Sequence, residues 1–340
     1  MQEMTVRTGS KFQLSLDDPK GLETFLIEND YLKTGEKLER LEKAGEGNMN
    51  KVLRAITNQR SFVLKQSLPW VNKFPSVAAP VSRIEMEHSF YQRVRKNDVL
   101  KHFTPEIYCF DKANHILCLE DLGAASDFTS IYKKGVSVSK SEMADIARVV
   151  SELHYSSKDD NADLAVDNME MRKLNHQHIF QLPLQSNNGF ELDGVLPGLQ
   201  LNTDKFRSDK RLQTVAEELG QIYLSNKGGR LLHGDYYPGS WLNTEKGFRM
   251  IDPEFCFTGT PEFELGVVVA HLKMTQQPDS LIKDLFVYYH FDSNFDGQLF
   301  TKFAGMEIIR RLIGLAQLPL DLTLKERLDL LENARVWVTG

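Results

Sequence analysis

The side chains best suited to chemistry gather in residues 231–254, L-L-H-G-D-Y-Y-P-G-S-W-L-N-T-E-K-G-F-R-M-I-D-P-E. An apolar pair leads into His233-Gly234-Asp235, and Gly239 and Ser240 close a turn-rich loop. A short hairpin, Trp241-Leu242-Asn243 with Phe248-Arg249-Met250-Ile251, then delivers Asp252-Pro253-Glu254. Acids on loops between short strands stand where a rigid scaffold usually carries its function. A lone carboxylate can take a proton from a hydroxyl, and a pair can hold a hard divalent cation through oxygen.

The spacing narrows these options. Asp235 lies five residues before Ser240, the interval that separates the catalytic-loop Asp of a protein kinase from its metal-binding Asn, and Asp252-Pro253-Glu254 occupies the place of the kinase D-F-G. Asp235 is therefore the candidate base, with Asp252 and Glu254 as metal ligands. Upstream, Gly45-Glu46-Gly47-Asn48-Met49-Asn50 joins two strand-like runs, and Lys65 ends a third, the position of the kinase V-A-I-K lysine. Gly45, Gly47, Asn48 and Asn50 are expected around the phosphates of a nucleotide, which Lys65 would neutralise. Glu87 is the candidate partner of that lysine, with Glu85 as the alternative. The backbone at Glu120 and Leu122 is placed to meet an adenine edge.

These residues need a scaffold in two parts. Periodicity predicts a short helix over 21–29 and strands over 37–44, 51–57 and 61–66. A helix over 80–97 follows, with Ser82 as its N-cap, and then strands over 105–110 and 115–119. The five strands complete an antiparallel sheet. From there the pattern turns helical, over 141–156, part of 161–185, 211–227, 266–274, 281–290, 299–318 and 324–338. Residues 186–209 form the least regular stretch, in the manner either of a lid or substrate loop or of a mobile surface excursion. The expected division is a nucleotide-binding lobe at 1–119, a hinge at 120–123 and a helical lobe at 124–340 that carries the catalytic loop and acceptor site.

Composition sets bounds. The 340 residues suffice for two domains, and the net charge of -6, with both signs interspersed, offers no basic stripe for nucleic acid. Residues 1–20 lack the apolar core of a signal peptide, and no stretch nears about eighteen apolar residues, so a cytoplasmic protein without a membrane partner is expected. Three cysteines, Cys109, Cys118 and Cys256, show no C-x-x-C spacing, which points to reduced thiols and no zinc site.

Together these motifs resemble the protein-kinase-like small-molecule kinases of the aminoglycoside phosphotransferase and choline kinase superfamily, and within it the 5-methylthioribose kinases. The resemblance spans nearly the whole chain. It rests on the glycine loop, Val63-Leu64-Lys65-Gln66-Ser67-Leu68-Pro69, Leu119-Glu120-Asp121-Leu122, His233-Gly234-Asp235 with Gly239-Ser240, Asp252-Pro253-Glu254-Phe255, and Ile309-Arg310-Arg311-x-Ile313-Gly314. Most of the superfamily carries Asn where Ser240 stands, whereas methylthioribose kinases resemble this chain in Ser and D-x-E. Tyr236-Tyr237-Pro238 replaces the usual Leu-His-Thr, and Glu264 stands where Asp is usual.

The resemblance implies a bilobal α+β fold, ATP and Mg2+ as cofactors, and a small molecule as acceptor, with a homodimer as one oligomeric option. It further implies that Arg310 and Arg311 reach the acceptor site, with Tyr236, Tyr237 and Ser240 beside it. The expected reaction is phosphorylation of 5-methylthioribose to its 1-phosphate in methionine salvage. The alternative is an aminoglycoside- or choline-type kinase, which Tyr236, Tyr237 and Glu264 would favour by suiting a cation. A non-catalytic nucleotide-binding protein ranks last.

Overall fold

In the computed structural model the described residues are 12–45, 47, 49–156, 165–225 and 229–340. The expected site residue Asn48 lies outside them. The chain falls into two compact units, one of residues 1–92 with 105–122, the other of 93–104 with 123–340.

The first unit opens with α1 (Pro19–Glu28), where proline occupies the first turn and the Asp18 carboxylate caps it by accepting the Gly21 N–H at 2.9 Å. Strands β1 (Leu38–Lys43), β2 (Lys51–Thr57) and β3 (Ser61–Gln66) follow, then a small hairpin of β4 (Trp70–Val71) and β5 (Phe74–Ala78), which the sequence reading missed. Helix α2 (Arg83–Val94) precedes β6 (Ile107–Asp111) and β7 (Ile116–Glu120). The sheet has the five antiparallel strands expected, in the order β1-β2-β3-β7-β6. Leu53, Ala55, Phe62, Leu64, Ile116 and Cys118 share a core with Leu22, Phe25 and Leu26 of α1, so α1 covers one sheet face. Because side chains alternate across a strand, Lys65 points away from that core.

One expectation fails here. Cys109 and Cys118 are joined by a disulfide, with Cα atoms 4.9 Å apart, where reduced thiols were expected. Strand register sets the two residues directly opposite one another, a pairing that linear spacing does not reveal. Cys256 is buried.

The second unit contains β8 (Ala125–Asp127), α3 (Lys140–Ser156), α4 (Met169–His176), α5 (Leu199–Arg207) and α6 (Lys210–Leu224). A π-helical turn over Gln177–Gln181 follows α4 directly. Strand β9 (Arg230–Leu232) pairs with β12 (Phe257–Gly259), and β10 (Trp241–Thr244) pairs with both β11 (Gly247–Met250) and β8. Helices α7 (Pro261–Met274), α8 (Asp279–Tyr288), α9 (Gly297–Ile313) and α10 (Leu324–Thr339) complete it. Nearly every residue of α7, and α9 from Phe303 onward, is buried, which makes these two helices the centre of the unit. Stretch 186–209, expected to be irregular, contains α5, whose Leu199 and Phe206 are buried seven residues apart on one face.

Candidate active site

In the first unit, Lys65 at the end of β3 is buried and its Nζ stands 2.6 Å from Glu87 Oε1. The choice between the two candidate acids follows from helix geometry. Arg83, Ile84, Glu87, Phe90, Tyr91 and Val94 form the buried stripe of α2, while Glu85 lies off it and pairs with Lys112 at 2.8 Å. Removing two charges from water costs about as much as their attraction returns, so such a pair contributes little net stability. Its effect is to hold an ammonium in one place.

Two glycines of the phosphate-loop candidate are required by shape. Gly45 has φ +147°, and a Cβ on Gly47 would fall 2.3 Å from the Asn50 carbonyl oxygen. Asn50 departs from expectation: it is buried, and its Oδ1 accepts a hydrogen bond from Arg83 Nε at 2.8 Å, so its side chain supports the loop from within. At the end of β7 the Glu120 N–H donates to the Glu106 carbonyl at 2.8 Å, and the Asp121 carboxylate pairs with Arg54 at 2.9 Å. Leu122 closes the first unit.

In the second unit, β9 runs straight into His233-Gly234-Asp235. Gly234 has φ +87° and a Cβ there would meet the Phe255 carbonyl at 2.1 Å, so the chain between His233 and Asp235 can turn this way with glycine alone. The Gly234 N–H donates to Glu264 Oε1 at 2.7 Å. Glu264 Oε2 is 2.9 Å from His154 Nε2, and His154 Nδ1 is 2.8 Å from the Tyr289 hydroxyl. Burial holds His233 below the usual imidazole range, and its neutral ring donates from Nε2 to the Ile251 carbonyl at 2.8 Å.

Asp235 meets the arginine pair directly. Its Oδ1 accepts from Arg311 Nη2 at 3.0 Å and lies 3.9 Å from Arg310 Nη1. Both arginines sit in the last turn of α9, where the helix dipole favours cations, and both grip Glu307 one turn earlier. Arg311 Nε donates to Glu307 Oε1 at 2.6 Å, Arg310 Nη1 to Oε2 at 3.0 Å, and His271 Nε2 lies 3.2 Å from Oε1. Burial alone would raise the Glu307 carboxyl, but the two guanidinium charges and the His271 contact outweigh it and hold it far below the usual range. The Tyr237 ring lies under the Arg311 guanidinium at 4.9 Å, and burial pushes its phenol well up.

Two residues expected beside the acceptor are part of the frame. Tyr236 is wholly buried, donating its hydroxyl to the Ile146 carbonyl at 3.1 Å and packing on Trp241. Ser240 is buried too. Its Oγ donates to the Asp235 carbonyl at 2.7 Å and accepts the Tyr237 N–H at 3.0 Å, which locks the turn. Glu264, also expected beside the acceptor, lies buried beneath the Gly234 peptide instead. Sequence reading missed Glu307, since an acid one turn before two arginines looks like any surface pair. Its apolar neighbours Met306, Ile308 and Ile309 were the available signal.

Asp252 and Glu254 follow β11 on one loop. Asp252 takes φ +64°, a left-handed conformation that a non-glycine residue adopts seldom and at some cost, and that recurs at functional sites. Asn168 Nδ2 fixes the same segment by donating to the Glu254 and Cys256 carbonyls at 2.9 Å each. Two carboxylates from one short loop suit a magnesium ion, which commonly takes one or two protein oxygens and leaves the rest to phosphate and water.

A family model described as the phosphotransferase enzyme family matches residues 40–299, well over half of the sequence. The chain belongs to the phosphotransferase enzyme family. A methylthioribose kinase of Exiguobacterium sibiricum is 27% identical over 321 residues, covering 81% of this chain and 79% of the relative, and one of Bacillus cereus is 24% identical over 317 residues, covering 80% and 78%. Among solved structures, a spectinomycin phosphotransferase in complex with ADP and spectinomycin superposes with TM-score 0.56 at 12% identity, over 93% of this chain and 97% of that one. A choline kinase of Cryptosporidium parvum gives 0.54 at 11% identity, over 94% and 93%. The fold of this phosphotransferase is thus the α+β, protein-kinase-like one expected, and the chain is a small-molecule kinase.

Proposed function

We propose that this phosphotransferase transfers the terminal phosphoryl group of ATP to a hydroxyl of a neutral sugar, 5-methylthioribose, forming its 1-phosphate in a cytoplasmic methionine-salvage route. The observation that carries this reading is the contact of Asp235 with Arg310 and Arg311 in a cluster that also holds Glu307, His271 and Tyr237. Tyr236 and Glu264, two of the three residues that would have attracted a cationic amino sugar or choline-like alcohol, are turned into the frame, and the third, Tyr237, already faces a guanidinium. Two guanidinium groups beside the base offer hydrogen-bond donors to hydroxyl and phosphoryl oxygens. The relatives named methylthioribose kinase support the same acceptor.

Asp235 would orient the acceptor hydroxyl and take its proton as the new O–P bond forms and the bond to the β–γ bridging oxygen breaks, releasing ADP, while Arg310 and Arg311 steady the equatorial oxygens. Lys65, fixed by Glu87, would neutralise phosphate oxygens, and the Gly45–Asn50 loop would cradle them through backbone N–H groups. Asp252 and Glu254 would hold magnesium, which supplies charge neutralisation to the phosphates.

An ATP-consumption screen across methylthioribose, other pentoses, aminoglycosides and amino alcohols tests the reading, with phosphorus NMR to locate the new ester. Turnover with methylthioribose and a product phosphorylated at its anomeric oxygen is expected. Preferential turnover of an amino sugar or amino alcohol would overturn the assigned acceptor.

A further inference from the structure

Arg83 is a completely buried arginine whose guanidinium is spent on the loop and turns around it. Nε donates to Asn50 Oδ1 at 2.8 Å, Nη1 to the Leu68 and Pro80 carbonyls at 2.8 and 2.6 Å, and Nη2 to the Met49 and Trp70 carbonyls at 3.0 and 3.4 Å. From the hairpin of β4 and β5, Asn72 reaches the same stretch. Its N–H donates to the Met49 carbonyl at 3.2 Å, and its Nδ2 donates to the Gly47 carbonyl at 2.9 Å.

We propose that Arg83 and Asn72 are positioning residues which preset the glycine loop for the phosphate chain of a nucleotide. A trans peptide holds its N–H antiparallel to its carbonyl. Tethering the Met49 carbonyl to Arg83 and Asn72 therefore fixes the plane of the Met49–Asn50 peptide, and a fixed peptide orientation is what an anion-binding backbone relies on. Arg83 also stands one helical turn before Glu87 on the buried stripe of α2, so the loop and the ammonium of Lys65 share one support. Burying a guanidinium is costly, and five acceptors around it among the described residues mark a place where backbone position is held at the expense of desolvation.

The inference rests on the ATP-dependent reading, and the test separates the two. Calorimetric titration of the full chain with MgATP and with adenosine is compared for wild type, Asn72→Ala and Arg83→Lys. Losing one or two of these hydrogen bonds should weaken MgATP binding about fivefold in Asn72→Ala and about tenfold in Arg83→Lys, with adenosine affinity unchanged. A purely structural role would lower the melting temperature and the bound fraction while leaving the ratio of MgATP to adenosine affinity as in wild type. Asn72 sits in a small, half-exposed hairpin, so its variant should fold whatever becomes of Arg83. Wild-type MgATP binding with the same affinity in Asn72→Ala would overturn this inference alone. Absence of MgATP binding by the wild-type chain would overturn it together with the ATP-dependent reading.

Discussion

At the residue scale the decisive contact is Asp235 Oδ1 to Arg311 Nη2, because it sets a positive charge directly against the carboxylate proposed to take the proton. Asp235→Asn keeps the shape and removes the basicity. It should lower kcat on the order of 10^2- to 10^4-fold while the KM for ATP stays within about twofold, measured by coupled kinetics. A variant that keeps most of its rate would remove Asp235 from the base role. Glu307 makes a different prediction, one of pH. Its carboxyl titrates lower in the folded chain than in the unfolded one, so the stability it contributes is present above the unfolded value, about pH 4.3, and drains away as pH falls toward the folded value. Glu307→Gln should therefore cost about 3–5 kcal/mol in urea melts at pH 7, by leaving two buried guanidinium groups to share Asp235 as their remaining carboxylate partner. The gap to wild type should narrow below about pH 4, where the wild type begins to lose the same interaction. A gap that widens on acidification would contradict the depressed carboxyl.

At the element scale, β9, α7 and α3 meet at one peptide. The Gly234 N–H, Glu264 and His154 link the loop that presents Asp235 to two helices of the core, with Tyr289 closing the chain of contacts. Glu264→Ala leaves a buried N–H without that acceptor, so a destabilisation of about 1–3 kcal/mol is expected. A loop no longer held to its helix should also lose kcat by more than the ATP KM changes. Unaltered kcat in protein that is fully folded by circular dichroism would make Glu264 a packing residue. The sheet of the first unit offers a covalent check. With Cys109 bonded to Cys118, thiol titration in denaturant without reductant should find one thiol per chain, that of Cys256, and three after reduction. Three thiols in both conditions would refute the cross-strand bond.

For the whole molecule, nucleotide binding should be legible as stability. A ligand bound by the folded state alone stabilises it by about 2.7 kcal/mol at a hundred times its Kd, so MgATP should raise the unfolding midpoint in a concentration-dependent way. If Asp252 and Glu254 hold magnesium, chelation by EDTA should abolish turnover and remove part of that gain. A midpoint indifferent to MgATP would count against nucleotide binding altogether.

The strands, the apolar stripes of the helices and the spacing of Asp235, Asp252, Glu254 and Lys65 were legible in the linear chain, because periods of 2 and 3.6 and turn-forming residues are local properties. The β4–β5 hairpin escaped notice because it has two short strands, and α5 because its stretch is broken by Gly189, Gly194, Pro197 and Gly198. What tertiary structure alone decided is which polar side chains look inward. Glu87 rather than Glu85 meets Lys65, Tyr236, Ser240 and Glu264 are buried in the frame, and Glu307, His271 and Arg83 hold groups proposed to do the chemistry. A residue's type states the bonds it can make, while burial against distant segments determines the partners it is left with, and those partners can be far along the chain, 110 residues in the case of His154 and Glu264 and 135 in that of His154 and Tyr289.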